Sequence, residues 1–290
     1  MKNGLKIIDM RCRPPYKSFL NEGYPFTLFE KRNLINFQKM CGSPSITKVA
    51  DTHSMADFIE EMDKAGIDLA VAPYRAAWSD PINQRAPLDN GELVALMTEY
   101  PHRFIGVAGI SPVYDTYARA KQIIQDFCFD GPLRGIAIEP IIDQPNWLLN
   151  DERALAIYDL LRGKNIPVLI TFSSMPLEQV QPLGDILRLF PDVNFVICHG
   201  GTPRNIELID LAFTVNNLYL SPDGNMINTH TSRLFIDAGN YMLRDRLLFG
   251  SAYPGTVMDF AIEYYMRCGF REEVLPGILY DNAARLFGLE

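Results

Sequence analysis

Short apolar runs alternate with longer amphipathic stretches along the whole chain. The first run starts at Leu5 and passes into Ile8-Asp9-Met10-Arg11-Cys12-Arg13. It stops at Pro14-Pro15, because proline cannot donate to a strand ladder. In an extended strand alternate side chains share a face. That alternation predicts Asp9, Arg11 and Arg13 on one side and Met10 and Cys12 on the other. Further runs at 67–72, 104–110, 135–139, 167–172, 195–198, 218–220 and 247–249 predict strands two to eight.

The intervening stretches carry helix signals. Ser54 and Asp57 form an S-x-x-D capping box before a helix over 55–65, and Gly66 suits its end. Asn90 predicts a cap for a helix that runs to Tyr100 and stops at Pro101. Asp115 opens a helix reaching Cys128, and Asp151 opens one reaching Lys164. Residues 177–190 and 231–241 read as helices, and Pro203 sits where an N1 proline would start another. Residues 257–289 read as helical pieces broken at Pro276-Gly277. Two connections are longer. The stretch from Tyr16 to His53 has the length of a functional loop, and a second loop carries Trp78.

Eight strand–helix units with no break in composition predict a parallel sheet covered on both faces, closed as a single (β/α)8 TIM barrel over residues 1–290. Hydrophobic residues make up 48% of the chain and charged residues 21%, so a large core is available. The net charge of -8 excludes a basic nucleic-acid-binding face. No apolar run approaches the ~18 residues of a membrane span. No signal-peptide segment precedes the first strand. The five cysteines are scattered and form no C-x-x-C pair, which points to a reducing compartment. The expectation is a cytoplasmic enzyme with a small-molecule substrate, with neither nucleic-acid nor membrane partners.

In such barrels the active site lies at the carboxyl ends of the strands. That rule nominates Arg11 and Arg13 from strand one, Glu139 from strand four, and Thr171 and Ser173 from strand five. It also nominates His199 from strand six, Asp223 after strand seven and Tyr253 after strand eight. Arg11 and Arg13 either close the mouth against Glu139 or Asp9, or grip an anion such as a carboxylate. His199 is either a satisfied core histidine or a general acid or base. Glu139, as a carboxylate among arginines, suits a base or an orienter, and Asp223 suits a cap or a ligand contact. Thr171, Ser173 and Tyr253 are candidates to line the substrate pocket, as is Trp78, though aromatic core is the default reading for Tyr253 and Trp78. Cys198, next to His199, is expected to face the helices. No G-x-S-x-G, Walker or G-x-G-x-x-G sequence occurs, and no lysine stands at a strand end.

Three segments at matching positions carry a family resemblance: His199-Gly200-Gly201, Leu248-Phe249-Gly250-Ser251-Ala252-Tyr253-Pro254, and Asp281-Asn282-Ala283-Ala284-Arg285-Leu286-Phe287-Gly288. With Ile8-Asp9 opening strand one, they resemble the amidohydrolase superfamily, nearest its amidohydrolase-related group of decarboxylases, hydratases and lactonases. Metal-dependent members end strand one as I-D-x-H-x-H, where this chain has Arg11 and Arg13. Thr171 stands at a usual histidine position, and Ala252 replaces the aspartate of G-S-D-Y-P. Of the usual set only His199 remains. Zinc takes neutral imidazole, thiolate or carboxylate ligands, and guanidinium is only a donor. The expectation is therefore no metal and no other cofactor. The resemblance to the 2-pyrone-4,6-dicarboxylate lactonase type implies a metal-independent hydrolase of a small carboxylate-bearing substrate. His199 would move the proton, with Asp223 or Glu139 assisting, and Arg11 and Arg13 would hold the anion. A decarboxylase-like lyase and a ligand-binding barrel without catalysis are the alternatives. At family level the resemblance implies a homodimer.

Overall fold

The computed structural model describes residues 1–20, 39, 41–44, 48–74, 89–141, 143, 146–172 and 174–289. Seven parallel strands neighbour one another in sequence order: β1 (Ile8–Asp9), β2 (Leu69–Pro73), β3 (Phe104–Gly109), β4 (Ile136–Ile138), β5 (Val168–Ile170), β6 (Phe195–Cys198) and β7 (Leu218–Ser221). They are apolar on both faces because each has side chains inside the barrel and side chains against helices. Residues 247–253 supply the eighth stave by single contacts rather than a regular strand. Leu248 N donates to Leu220 O at 2.9 Å on one side. On the other, Met10 N donates to Phe249 O at 3.0 Å and Arg13 N to Tyr253 O at 3.1 Å. These bonds close the α/β TIM barrel.

Between and after the strands lie α1 (Met55–Ala65), α2 (Gly91–Glu99), α3 (Tyr117–Ile123), α4 (Glu152–Leu160), α5 (Val180–Leu189), α6 (Asn205–Thr214), α7 (Ser232–Asn240), α8 (Met258–Arg267) and the closing α9 (Asn282–Leu286). A short helix, Lys48–Thr52, lies inside the stretch read as a loop; residues 21–38, 40 and 45–47 of that stretch, and Trp78, lie outside the described residues. Ser54 caps α1 by accepting from Asp57 N at 3.3 Å. Gly66 ends α1 at φ +77, and a Cβ there would meet the Met1 backbone at 2.9 Å. Asp151 caps α4, as expected. Two expected helix starts shift, and a third helix starts in place but without its expected side-chain cap. Asn90 places its amide against Gly109 N and O instead of capping α2. Thr116, not Asp115, caps α3. Pro203 precedes a helix that begins only at Asn205. Among the described residues no helix is long and apolar enough to cross a membrane.

The core has two parts. Ile8, Met10, Val71, Ile105, Leu169, Val196, Cys198 and Leu248 fill the barrel, sealed by Leu286 and Phe287 from the closing helix. Ile138, Ile170, Phe195, Ile197 and Leu220 pack outward against helices. Cys198 thus lies inside the barrel, contrary to its expected place against the helices. The expectation assumed extended backbone through His199, but His199 turns at φ +58.

Candidate functional site

Strand one does not keep its alternation. Ile8 pairs with Leu69 and Asp9 with Ala70. Continued pairing would present the Val71 carbonyl to Arg11. That carbonyl instead accepts from Cys12 N at 3.0 Å. One extra residue is therefore inserted after Asp9, as in a β-bulge. The cores agree: Met10 belongs to the inner one and Cys12 to the outer one. The bulge corrects the expected grouping. Arg11 and Arg13 turn into the mouth, whereas Asp9 turns toward the seam with the eighth stave.

The bulge leaves the Arg11 amide without a strand partner, and Asp9 supplies one. Asp9 Oδ1 accepts from Arg11 N at 3.1 Å and from Ser251 N at 2.9 Å, and Oδ2 accepts from Ser251 Oγ at 2.5 Å. Asp9 is fully buried. Burial pushes its carboxyl up to about 7, against the pull of these bonds. Sequence reasoning missed this role. The available signal was an aspartate two residues before an arginine, the spacing at which an Asx side chain binds a nearby amide.

At the mouth, Arg13 Nη2 contacts Glu139 Oε1 at 3.0 Å, and both side chains are nearly buried. Glu139 therefore orients Arg13. Arg11 is 6% exposed, and its Nε has no hydrogen-bond partner. Among the described residues no acidic side chain forms an ion pair with it. Its charge nevertheless reaches His199. The imidazole is held below its ordinary value first by burial and then by Arg11, with Asp223 opposing. Neutral imidazole is therefore the form at neutral pH.

His199 and Asp223 meet, as the strand-end rule expected. Asp223 Oδ2 accepts from His199 N at 3.0 Å and lies 3.1 Å from His199 Nδ1. The Nδ1 contact lies off the direction of a good hydrogen bond, so the backbone amide is the firmer anchor. Ser221 Oγ donates to Asp223 Oδ1. The absence of a side chain at residue 250 makes room for this carboxylate. A Cβ on Gly250 would overlap Asp223 Oδ1 and come within 3.0 Å of Ser221 Oγ.

Thr171 is buried beside Cys198 at the end of strand five. Ser173 lies outside the described residues. Tyr253 takes the aromatic-core place and not the pocket-lining one. Its ring packs edge-on to Phe58 of α1 at 5.3 Å, with Glu61 of the same helix beside it. It fills the layer between barrel and helix, because residues 250–253 turn through Ala252 at φ +57.

Fold and mouth together define an α/β barrel with a charged site at the carboxyl ends of its strands, the layout of barrel enzymes. The chain belongs to the amidohydrolase family, whose model matches residues 49–289. It is similar to an uncharacterised TIM-barrel protein from Bordetella bronchiseptica, with 29% identity and a TM-score of 0.84 over 98% of this chain and 99% of that one. It shares its fold with 2,6-dihydroxybenzoate decarboxylase from Rhizobium, with 16% identity and a TM-score of 0.70 over 98% and 99% of the two chains. A dihydroxybenzoic acid decarboxylase from Polaromonas, solved with bound manganese and 2-nitroresorcinol, has 15% identity and a TM-score of 0.70 over 98% and 97%. No curated protein matches the chain.

The described residues of the mouth do not supply the donor set such a metal needs. Among the described residues no group of three or more His, Cys, Asp or Glu side chains could hold an ion. A buried guanidinium at Arg11 would repel one.

Proposed function

We propose that the protein is a hydrolase that anchors a small substrate by its carboxylate on Arg11 and activates water with His199. The observation that carries this reading is the Arg11 guanidinium, buried beside His199 without an acidic partner among the described residues. Burying a charge is expensive unless it is paired. A substrate carboxylate supplies the partner, in the bidentate geometry guanidinium favours.

The chemistry follows from the arrangement. Asp223 beside Nδ1 favours the tautomer with its proton there, leaving the Nε2 lone pair to accept a proton from water. The hydroxide equivalent attacks an ester-like carbonyl on the anchored substrate and forms a new C–O bond. Arg13, held by Glu139, stabilises the oxyanion. The old C–O bond breaks, and the proton on Nε2 passes to the leaving oxygen.

A lyase is the second reading, since the decarboxylases named above share the fold. Arg11 argues against it. A guanidinium that grips the carboxylate stabilises the ionised ground state more than the departing carbon dioxide, and so raises the barrier to its loss. The test is turnover of a panel of carboxylate-bearing lactones and esters in ¹⁸O-water. The hydrolase reading expects label in the product acid. His199→Gln should lower kcat by about 10²–10⁴-fold, and Arg11→Met should raise KM. Carbon dioxide release without label incorporation would replace hydrolase with lyase. Unchanged turnover in both variants would end both readings.

A further inference from the structure

The two arginines of the mouth are not equivalent. Arg13 faces the Glu139 carboxylate at 3.0 Å, with side chains 8% and 10% exposed. At that distance and depth the two charges largely cancel toward any third group. Arg11 has no such neighbour among the described residues, although it is buried to a similar degree. The remaining acid, Asp223, is engaged by Ser221 Oγ and by the His199 amide. Among the described residues the mouth therefore presents one uncompensated guanidinium, flanked by carboxylates that follow strands four and seven.

We propose that Glu139 is the specificity-determining residue: by holding Arg13 it limits the mouth to one substrate carboxylate, taken by Arg11, so that monocarboxylates are accepted and dicarboxylates rejected. The inference rests on the reading that Arg11 meets the substrate carboxylate. A first carboxylate relieves the unpaired guanidinium. A second would enter among Glu139 and Asp223, where Arg13 is already paired, and would meet like charge in a poorly solvated site. Discrimination built on such repulsion against the wrong ligand is a general route to specificity. The lactonase resemblance implied a carboxylate-bearing substrate without fixing the number of carboxylates, and the Arg13–Glu139 pair points to one.

The test is titration calorimetry of the full chain at pH 7.5 and low salt. The probes are two matched pairs, acetate with malonate and benzoate with isophthalate. In at least one pair the monocarboxylate should bind at least about tenfold tighter than its dicarboxylate. Glu139→Gln keeps the shape and removes the charge. It should tighten the dicarboxylate by about tenfold and leave the monocarboxylate within about threefold. Glu139→Asp keeps the charge and should bring no such gain. Arg11→Met should abolish binding of both. If wild type binds the dicarboxylate as tightly as its partner, or a folded Glu139→Gln gains nothing, the role of Glu139 is refuted while that of Arg11 stands. If wild type binds no member of either pair, the reading of Arg11 itself falls. Should Glu139→Gln fail to fold, the wild-type ratio alone decides.

Discussion

Replacing Asp9 with alanine removes the acceptor of three buried donors: the amides of Arg11 and Ser251 and the hydroxyl of Ser251. An orphaned buried donor costs about 1–3 kcal/mol, so the loss should be roughly 3 kcal/mol or more. Against a typical total of about 5–15 kcal/mol that is a large fraction. Asp9→Asn keeps the volume and the Oδ1 acceptor and should lose no more than about 1 kcal/mol at low pH. The two also differ in pH dependence. Burial raises the Asp9 carboxyl from 3.8 to about 7 in the folded state. Between those values the folded protein binds more protons than the unfolded chain, so its stability falls as pH rises. Stability from Asp9 is fully present below 3.8 and lost as pH passes about 7. The whole swing is on the order of 4 kcal/mol. Asparagine does not ionise, so Asp9→Asn should overtake wild type as pH rises. Urea unfolding followed by circular dichroism from pH 5 to 8.5 would measure both effects. An Asp9→Ala loss under about 1 kcal/mol at the acid end of that range, or parallel pH profiles for wild type and Asp9→Asn, would refute the clamp.

Gly250→Ala should displace the Asp223 carboxylate. It should cost activity even in molecules that remain folded, to be read as kcat at a matched folded fraction. Because His199 is held below its ordinary value, the acid limb of kcat/KM should lie below pH 6.5 and move upward in Arg11→Met; a pH–rate profile of each protein checks this. Asn217 donates to the carbonyls of Leu187, Phe190 and Val193. Asn217→Ala should therefore lower stability by about 2–3 kcal/mol in urea unfolding. Ser54→Ala removes the α1 cap and should cost about 1 kcal/mol by the same assay.

Periodicity located the elements well where local forces decide them. Strand six, the Ser54 cap and the Asp151 cap stand where apolar runs and short polar side chains put them, because both signals act within a few residues. The strand-end rule likewise brought Arg13 to Glu139 and His199 to Asp223. What escaped the sequence lies where two strands must agree. Strict alternation grouped Asp9 with Arg11 and Arg13, and the bulge depends on pairing with β2 that the sequence of strand one does not display. Extended parity puts Cys198 on the wrong face, because it fails beside the positive φ of His199, and the positive φ of Ala252 turns Tyr253 out of the mouth. Asn90 and Asp115 carry good cap chemistry but are claimed by Gly109 and by Ser111. Side chains of this type serve whichever orphan amide lies nearest.

The clamp between Asp9 and Ser251 spans 242 residues. Contacts of such sequence separation form late in folding, because the loop they close is long. The Asp9 clamp that supports the bulge at Arg11 is complete only when the last stave docks on the first, so during synthesis the proposed anion grip cannot be fully set until Ser251 has been made. A carboxylate ligand would then act on folding as a latch. It would stabilise the closed ring while leaving the open intermediate untouched, and should slow unfolding far more than it speeds refolding.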